Sequence, residues 1–250
     1  NVVHAYPDSV DEAWEDFVAS WHKTVRLMRD WLGAMCHPDE EIVLFNDAAF
    51  GIAPAPGALF GYLRRLGVAD AGEAFADPGK GNVTHLDATG YIRLDVADGA
   101  AFLDAAPIGP DYLPGHAHAD TLTFELSLFG GRVFVDSGTS CYEAGAERLR
   151  QRSTPAHNTV VIDGKNSSEV WSAFRAARRA WPRGLEIDES DGRVRVRCGH
   201  DGYTRLPGKP VHAREWHFTA GRVKSVDRVT GRHACAEARF HVPPDAGSPQ

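Results

Sequence analysis

The sequence predicts an α+β protein in which helices come first and an antiparallel β-sandwich follows. Residues 9–35 and 57–66 carry apolar side chains at helical spacing. From about residue 83 the pattern changes, and apolar and polar side chains alternate as they do in half-buried strands. No helical pattern separates the predicted strands, which excludes a β–α–β arrangement and favours an antiparallel sandwich.

The first helix is predicted over residues 9–35. Ser9 can cap it, and Glu12 lies three residues later, as in a capping box. A second helix over residues 57–66 is expected to end at Gly67. We interpret the apolar stripe of the first helix as a packing surface, and its members are Trp14, Phe17, Val18, Trp21, Val25, Met28 and Leu32.

The strands are predicted from alternation and from turn residues. Residues 91–96 and 121–128 alternate, and Gly130-Gly131 predicts a hairpin turn from which a strand returns over 133–135. Later strands are expected at 157–163, 193–198, 213–219 and 222–229.

A stretch rich in Gly, Ala and Asp at 67–82 marks the expected domain boundary. We assign residues 1–75 to the helical part and residues 76–250 to the β-sandwich, which we expect to be cut short at its end. The sequence begins with Asn1 and shows no signal peptide, and we interpret it as a fragment at both ends.

Composition excludes several classes of partner. A formal net charge of -7 disfavours binding to nucleic acid or to an anionic membrane. No apolar run approaches the roughly 18 residues that a membrane span needs. The cysteines match neither a metal motif nor a disulfide framework, so free thiols are predicted for Cys36, Cys141, Cys198 and Cys235.

The segment Gly115-His116-Ala117-His118-Ala119-Asp120 carries the strongest chemical signal. In an extended chain, residues two apart share a face, so His116, His118 and Asp120 could project together. Imidazole and carboxylate are metal ligands, and imidazole also transfers protons near neutral pH. A His-x-His pair alone is weak evidence, because most such pairs are surface or core histidines that only satisfy local hydrogen bonds.

Two downstream motifs supply partners for these histidines. Asp136 ends the return strand of the hairpin, and His157 opens another strand. His118, Asp136 and His157 would form a two-His, one-carboxylate site that suits Zn²⁺ when a water completes it, and other divalent ions remain compatible.

The predicted hairpin register raises a geometric difficulty for this site. A straight two-residue turn at Gly130-Gly131 places Asp136 opposite Glu125, seven residues from His118. That separation is roughly 23 Å along a straight strand. The site therefore requires a bend near residues 118–121, and Asp120 is the alternative carboxylate.

Three ordered motifs resemble the β-domain of the heparinase II/III-like polysaccharide lyases. They are GHAHAD at 115–120, FVDSGTSCY at 134–142 and RSTPAHNTVVIDG at 152–164. The resemblance is strong over 115–175 and weaker elsewhere. It implies that the first helices are the last ones of an incomplete α/α toroid, followed by the antiparallel β-sandwich.

The resemblance also implies roles for residues of this chain. His116 corresponds to the histidine of the catalytic cleft, and the metal ligands correspond to His118, Asp136 and His157. Such enzymes cleave uronic-acid-containing polysaccharides by β-elimination, so an anionic glycan is the expected partner. The implied location is the periplasm, and the metal is expected to brace the cleft.

The sequence departs from the family in one respect. The tyrosine and its Asn or His helpers that lead the elimination come from the middle of the toroid, and no segment here matches them. Tyr142 is a second catalytic candidate or an edge tyrosine. Arg152 is a candidate for binding the uronate carboxylate, or a structural ion pair. We therefore expect this chain alone to show little lyase activity.

Two other functions remain open from the sequence. The first is a non-catalytic glycan-binding β-module in which the metal only supports the fold. The second is a hydrolase in which the metal activates water.

Overall fold

A computed structural model describes residues 12–68, 83–96 and 99–244. The chain divides into two compact units. The helical unit comprises residues 1–42 and 50–80, and the β unit comprises residues 43–49 and 81–250. The boundary predicted at residue 75 falls outside the described residues.

The helical unit contains the two predicted helices. α1 spans Glu12–Ala34 and α2 spans Pro56–Arg65, and the predicted start of α1 at residues 9–11 lies outside the described residues. Gly67 has φ +66° and donates its N–H to Arg64 O at 3.0 Å, which ends α2 as predicted. No helix in the described ranges combines the length and the apolar character needed to cross a membrane.

The β unit is built from antiparallel sheets. Its strands are β1 (Val83–Leu86), β2 (Tyr91–Val96), β3 (Gly99–Asp104), β4 (Phe124–Leu128), β5 (Gly131–Phe134), β6 (Val160–Ile162), β7 (Glu169–Trp171), β8 (Arg175–Ala177), β9 (Pro182–Ser190), β10 (Arg193–His200), β11 (Val211–Thr219), β12 (Arg222–Thr230) and β13 (Ala236–Ala238). A five-stranded sheet has the order β1-β2-β3-β4-β5, and a four-stranded sheet has the order β12-β11-β10-β9. The pairs β13-β6 and β7-β8 form small sheets.

The two large sheets share one hydrophobic core, which confirms the predicted sandwich. Ile92, Leu103 and Phe124 of the first sheet pack in one cluster with Val196 and Trp216 of the second. All five side chains are buried. Every second side chain of β10 and β11 is buried, because successive side chains of a strand point to opposite faces, and those that enter this core are Val194, Val196, Cys198, Trp216 and Phe218.

The predicted turn of the hairpin was wrong by one residue, which changes the pairing of the two strands by two positions. Leu128 pairs with Gly131, so the turn residues are Phe129 and Gly130 rather than Gly130 and Gly131. Both turn residues have positive φ, at 53° and 78°, as a type I′ turn requires. A register shift between Leu126 and Ser127 follows, and bulges of this kind bend a strand.

Several elements of the β unit escaped the sequence analysis, including β3, β7, β8, β9, β13 and a short helix. β3 reads as an unbroken run of small and apolar residues, so it shows no alternation. The short helix α3 spans Ala146–Arg152 and carries mostly charged residues, although Arg148 and Arg152 are buried in it. The predicted thiols are free, with Cys36 and Cys198 buried and Cys235 exposed.

Candidate active site and metal centre

A turn over residues 120–123 brings the GHAHAD segment towards Asp136. Thr123 N–H donates to Asp120 O at 2.7 Å, and Leu122 takes φ +66°. The Thr123 hydroxyl donates to Asp136 Oδ2 at 2.9 Å. The sequence required a bend near 118–121, and the chain turns at this point.

His118, Asp120 and His157 lie together in the interior of the β unit. Each offers a ligand atom within 4.8 Å of the other two. All three side chains are fully or almost fully buried. Among the described residues, His118 Nδ1, Asp120 Oδ2 and His157 Nε2 have no hydrogen-bond partner. Buried polar atoms without partners are rare, and three on neighbouring side chains fit a site that can hold a cation.

Asp136 lies beside this group but is already hydrogen-bonded. His157 Nδ1 lies 2.8 and 3.0 Å from its two oxygens, and Ser137 N–H donates to it at 2.7 Å. A carboxylate on the far nitrogen of an imidazole orients that ring for a metal. The assignment of Asp136 as a direct ligand stays a prediction, and Asp120 supplies the carboxylate with a free oxygen.

The electrostatics of this interior also favour a cation. Burial, opposed by His157 and reinforced by Asp136, raises the pKa of Asp120 to about 7. Burial and the neighbouring Asp120 raise the pKa of Asp104 well above its usual value. Burial lowers the pKa of His118 to about 4, so this imidazole is neutral and can coordinate a metal. A divalent cation would compensate these clustered carboxylates.

The side chain of His116 lies at the surface, although only one residue separates it from the buried His118. Its side chain is 68% exposed. Its ring meets the rings of Tyr142 and Phe174 edge-on, with centroids 6.4 and 5.8 Å away. Its Nδ1 lies 2.8 Å from Asp47 Oδ2. The exposed imidazole is therefore held in place and accessible to a ligand.

Asp47 is the functional candidate that sequence reasoning missed. It lies in the segment 43–49, which belongs to the β unit although the residues on both sides of it in the sequence belong to the helical unit. Gly138 has φ +52°, and a Cβ at this position would overlap Ala48 O. Thr139 N–H donates to the same oxygen at 3.0 Å. This close approach seats the segment, and the only sequence signal was the polar pair Asn46-Asp47 after an apolar run.

Arg148 binds Asp47 through both guanidinium arms. Its guanidinium lies 5.4 Å from the ring centroids of Tyr142 and of Phe174. These two rings stack with centroids 6.2 Å apart, and both side chains are exposed by about two fifths. Tyr142 therefore lies beside His116 at the surface, as a catalytic or substrate-contacting residue requires.

The structure corrects the interpretation of Arg152. Its side chain is fully buried and donates to Ala117 O at 2.8 and 3.1 Å and to Ser172 O at 3.4 Å. Because carbonyl oxygens satisfy it in the interior, Arg152 braces the GHAHAD segment rather than meeting a substrate carboxylate. The alternative prediction for Arg152 was a structural ion pair, and the structure shows hydrogen bonds to backbone carbonyl oxygens in its place.

A cavity of about 670 Å³ in the β unit opens beside His116. Tyr91, Tyr112 and Trp181 contribute aromatic rings to its wall, and Asn46 contributes an amide. Aromatic walls with a few polar groups are typical of binding pockets for small molecules or sugar rings.

Residues 78–248 match the family described as heparinase II/III-like, C-terminal. The chain belongs to this family. The match covers the whole described part of the β unit apart from the segment 43–49, so the three motifs and the cavity lie almost entirely within it. No curated protein sequence matches the chain.

Solved structures of this heparinase-like type share the fold. The Heparinase III-BT4657 gene product aligns with a TM-score of 0.67 at 20% identity, over 90% of this chain and 35% of that one. A heparan sulfate lyase HepC mutant from Pedobacter heparinus gives 0.66 at 21% identity, over 91% and 36%. A structure of Heparinase III gives 0.62 at 19% identity, over 87% and 35%. The chain thus spans about a third of the length of these proteins.

Proposed function

We propose that this chain is the C-terminal part of a polysaccharide lyase that cleaves uronic-acid-containing glycans by β-elimination. The observation that carries the proposal is the exposed His116, held by Asp47 beside Tyr142 in a heparinase-like β-domain. The names of the structural neighbours, which include heparan sulfate lyases, point to the same chemistry.

The reaction assigns definite tasks to these side chains. A base removes the proton at C5 of the uronate, the electron pair forms the C4–C5 double bond, and the linking oxygen leaves C4 with a proton. Charge that develops on the uronate carboxylate needs a hydrogen-bond donor or a cation nearby. His116 is accessible for this contact or for proton transfer, and Tyr142 is the neighbouring group that can exchange a proton.

We infer that a divalent metal, Zn²⁺ by ligand type, binds His118 and His157 with one carboxylate. The resemblance implies Asp136 as that carboxylate, and Asp120 has the free oxygen. When bound, the metal would cross-link the GHAHAD segment to the strand that follows His157. Its ligand atoms are buried, so the substrate has no access to it in this arrangement, which favours the lyase over a metal-dependent hydrolase.

The lyase proposal is tested with the protein in its natural length. Heparan sulfate, a polyuronate and a neutral glucan are each incubated with the enzyme while the ultraviolet absorbance of the unsaturated product is followed. We expect absorbance to rise with one of the uronate-containing polymers and not with the neutral glucan. New reducing ends without this absorbance would identify a hydrolase instead.

The metal proposal is tested by chelation and by two matched substitutions. Removal of the metal is expected to lower the melting temperature, since a ligand at 100 times its Kd stabilises a fold by about 2.7 kcal/mol. Asp120→Asn and Asp136→Asn should both weaken Zn²⁺ binding, by about 10–100-fold for the carboxylate that only orients a ligand and by more for the ligand itself. Unchanged zinc affinity in both variants would refute the site.

A further inference from the structure

Asp47 contacts both histidines of the GHAHAD segment at once. Its Oδ2 lies 2.8 Å from His116 Nδ1, and its Oδ1 lies 2.8 Å from His118 Nε2. The Asp47 side chain is only 7% exposed. One nearly buried carboxylate therefore connects the exposed imidazole with the imidazole of the metal centre.

The ring nitrogens that face Asp47 must carry hydrogen. Both oxygens of Asp47 also accept hydrogen bonds from the guanidinium of Arg148, which is always charged. The Asp47 carboxylate is therefore ionised and acts only as an acceptor. An ionised carboxylate offers no proton to an imidazole. In their neutral forms His116 is then protonated on Nδ1 and His118 on Nε2, which are opposite tautomers.

Each tautomer leaves the second nitrogen with a lone pair. In His118 this nitrogen is Nδ1, the atom that lies buried without a partner among the described residues. In His116 it is Nε2, on a side chain that is 68% exposed and lines the cavity. One lone pair is thus available to a metal, and the other to a ligand in the cavity.

Arg148 prevents Asp47 from turning away. Beyond Asp47, its Nε donates to Ala173 O at 3.0 Å, and Nη1 donates to the Thr139 hydroxyl at 2.9 Å. It also lies against the Tyr142 ring. The carboxylate plane is therefore fixed by a guanidinium that is itself fixed on several sides.

We propose that Asp47 is a positioning residue that sets opposite tautomers in His116 and His118, and so prepares one imidazole for substrate and the other for the metal. The effect on substrate rests on the proposed lyase function, and the effect on the metal rests on the metal site inferred above, whereas the tautomers depend on neither. A purely structural Asp47–Arg148 ion pair would stabilise the fold without selecting a tautomer.

Nitrogen-15 NMR of the histidine rings tests the proposal directly. The 250-residue chain with labelled histidines is measured without metal at about pH 8, above the ordinary histidine pKa of about 6.5. Substitutions His116→Gln and His118→Gln assign the signals. We expect Nδ1–H in His116 and Nε2–H in His118, and the reverse in either ring of the wild-type chain would overturn the proposal.

Asp47→Asn then separates positioning from structure. We expect the folded variant to lose the single tautomer of His116 and to bind Zn²⁺ about 10–100-fold more weakly. Asp111→Asn is the matched control, because Asp111 also lines the cavity but pairs with Arg179, and it should change neither readout. Unaltered tautomers or an unaltered zinc affinity in folded Asp47→Asn would contradict the proposal.

Neither folding nor lyase activity can obscure the outcome. If Asp47→Asn does not fold, the wild-type tautomers decide alone. If the natural-length protein releases no unsaturated product, the lyase proposal fails while the tautomers and zinc affinity still report on Asp47.

Discussion

At the scale of single residues, His116 and His118 show how two histidines separated by one residue come to lie in different environments. The His116 side chain is exposed, whereas that of His118 is fully buried. In the extended chain assumed from the sequence they would share a face. The turn that follows them and the contacts of Asp47 instead give one ring to the surface and the other to the interior.

This separation predicts different losses for two alanine substitutions in the natural-length protein. His116→Ala should abolish turnover of a uronate-containing glycan while zinc content stays at the wild-type level. His118→Ala should lose bound zinc and lower the melting temperature, because it removes a ligand from the interior. Turnover and metal analysis of the two purified variants check this. Loss of zinc in His116→Ala would favour the hydrolase interpretation.

At the scale of elements, the four-stranded sheet carries a buried polar chain. His200 Nε2 on β10 lies 3.2 Å from His212 Nδ1 on β11. His212 Nε2 in turn lies 2.8 Å from Asp227 Oδ1 on β12. Arg214 binds both oxygens of Asp227 at 2.7 and 2.9 Å. These contacts link the three adjacent strands β10, β11 and β12 through buried side chains.

Arg214 is expected to be one of the most sensitive positions of this sheet. It is fully buried and also donates to Leu122 O and Asn158 O. Arg214→Ala should lower the free energy of unfolding by about 3–5 kcal/mol, because it removes the only guanidinium that contacts the Asp227 carboxylate among the described residues and leaves that carboxylate with the neutral His212. Arg195→Ala, in an exposed pair with Asp188 at 3.9 Å, is the control and should cost less than about 1 kcal/mol. Urea denaturation measures both, and equal losses would contradict the argument.

His200 and His212 are expected to make this buried group of polar side chains sensitive to acid. Gly202 N–H donates to His200 Nδ1, so His200 can only donate through Nε2 to His212, and both rings are neutral. Burial lowers the pKa of both His200 and His212 in the folded state. As the pH falls below about 6.5, the unfolded chain takes up protons at these two histidines before the folded chain does, so their contribution to stability falls.

Denaturation at pH 7.5 and pH 5.5 checks this sign. Between pH 7.5 and pH 5.5 the wild-type chain should lose more free energy of unfolding, or gain less, than His200→Phe does. The two proteins are compared because the raised pKa values of Asp120 and Asp104 act in the opposite direction in both of them. Tyr203→Phe removes a nearby buried hydrogen bond to Val160 O and should lower stability at both pH values by a similar amount. A pH dependence that is the same in His200→Phe as in the wild-type chain would refute the assignment.

The elements that could be predicted are those with a clear period. Alternation predicted β2, β10, β11 and β12, and helical spacing predicted α1 and α2. β3 was missed because Gly99-Ala100-Ala101 offers no polar face. The histidines were found because they lie in short motifs. Asp47 was not, because 71 positions separate it from His118 and only the fold brings them together.

At the scale of the whole molecule, the length of the chain bears on the lyase activity that we propose for it. The chain spans about a third of each structural neighbour. We expect the 250-residue chain alone to release less unsaturated product from any uronate polymer than the natural-length protein does. Ultraviolet assays at equal molar concentration make the comparison, and equal rates would refute it.

The placement of residues 43–49 has a practical consequence for dividing this protein. The β unit is not a continuous stretch of sequence, so a truncation beginning at residue 76 would keep every motif and discard Asp47. Arg148 would then remain buried without its counter-charge, and Gly138 would face an empty groove. A short peptide covering residues 43–49, supplied in trans, is the natural complement to such a truncation.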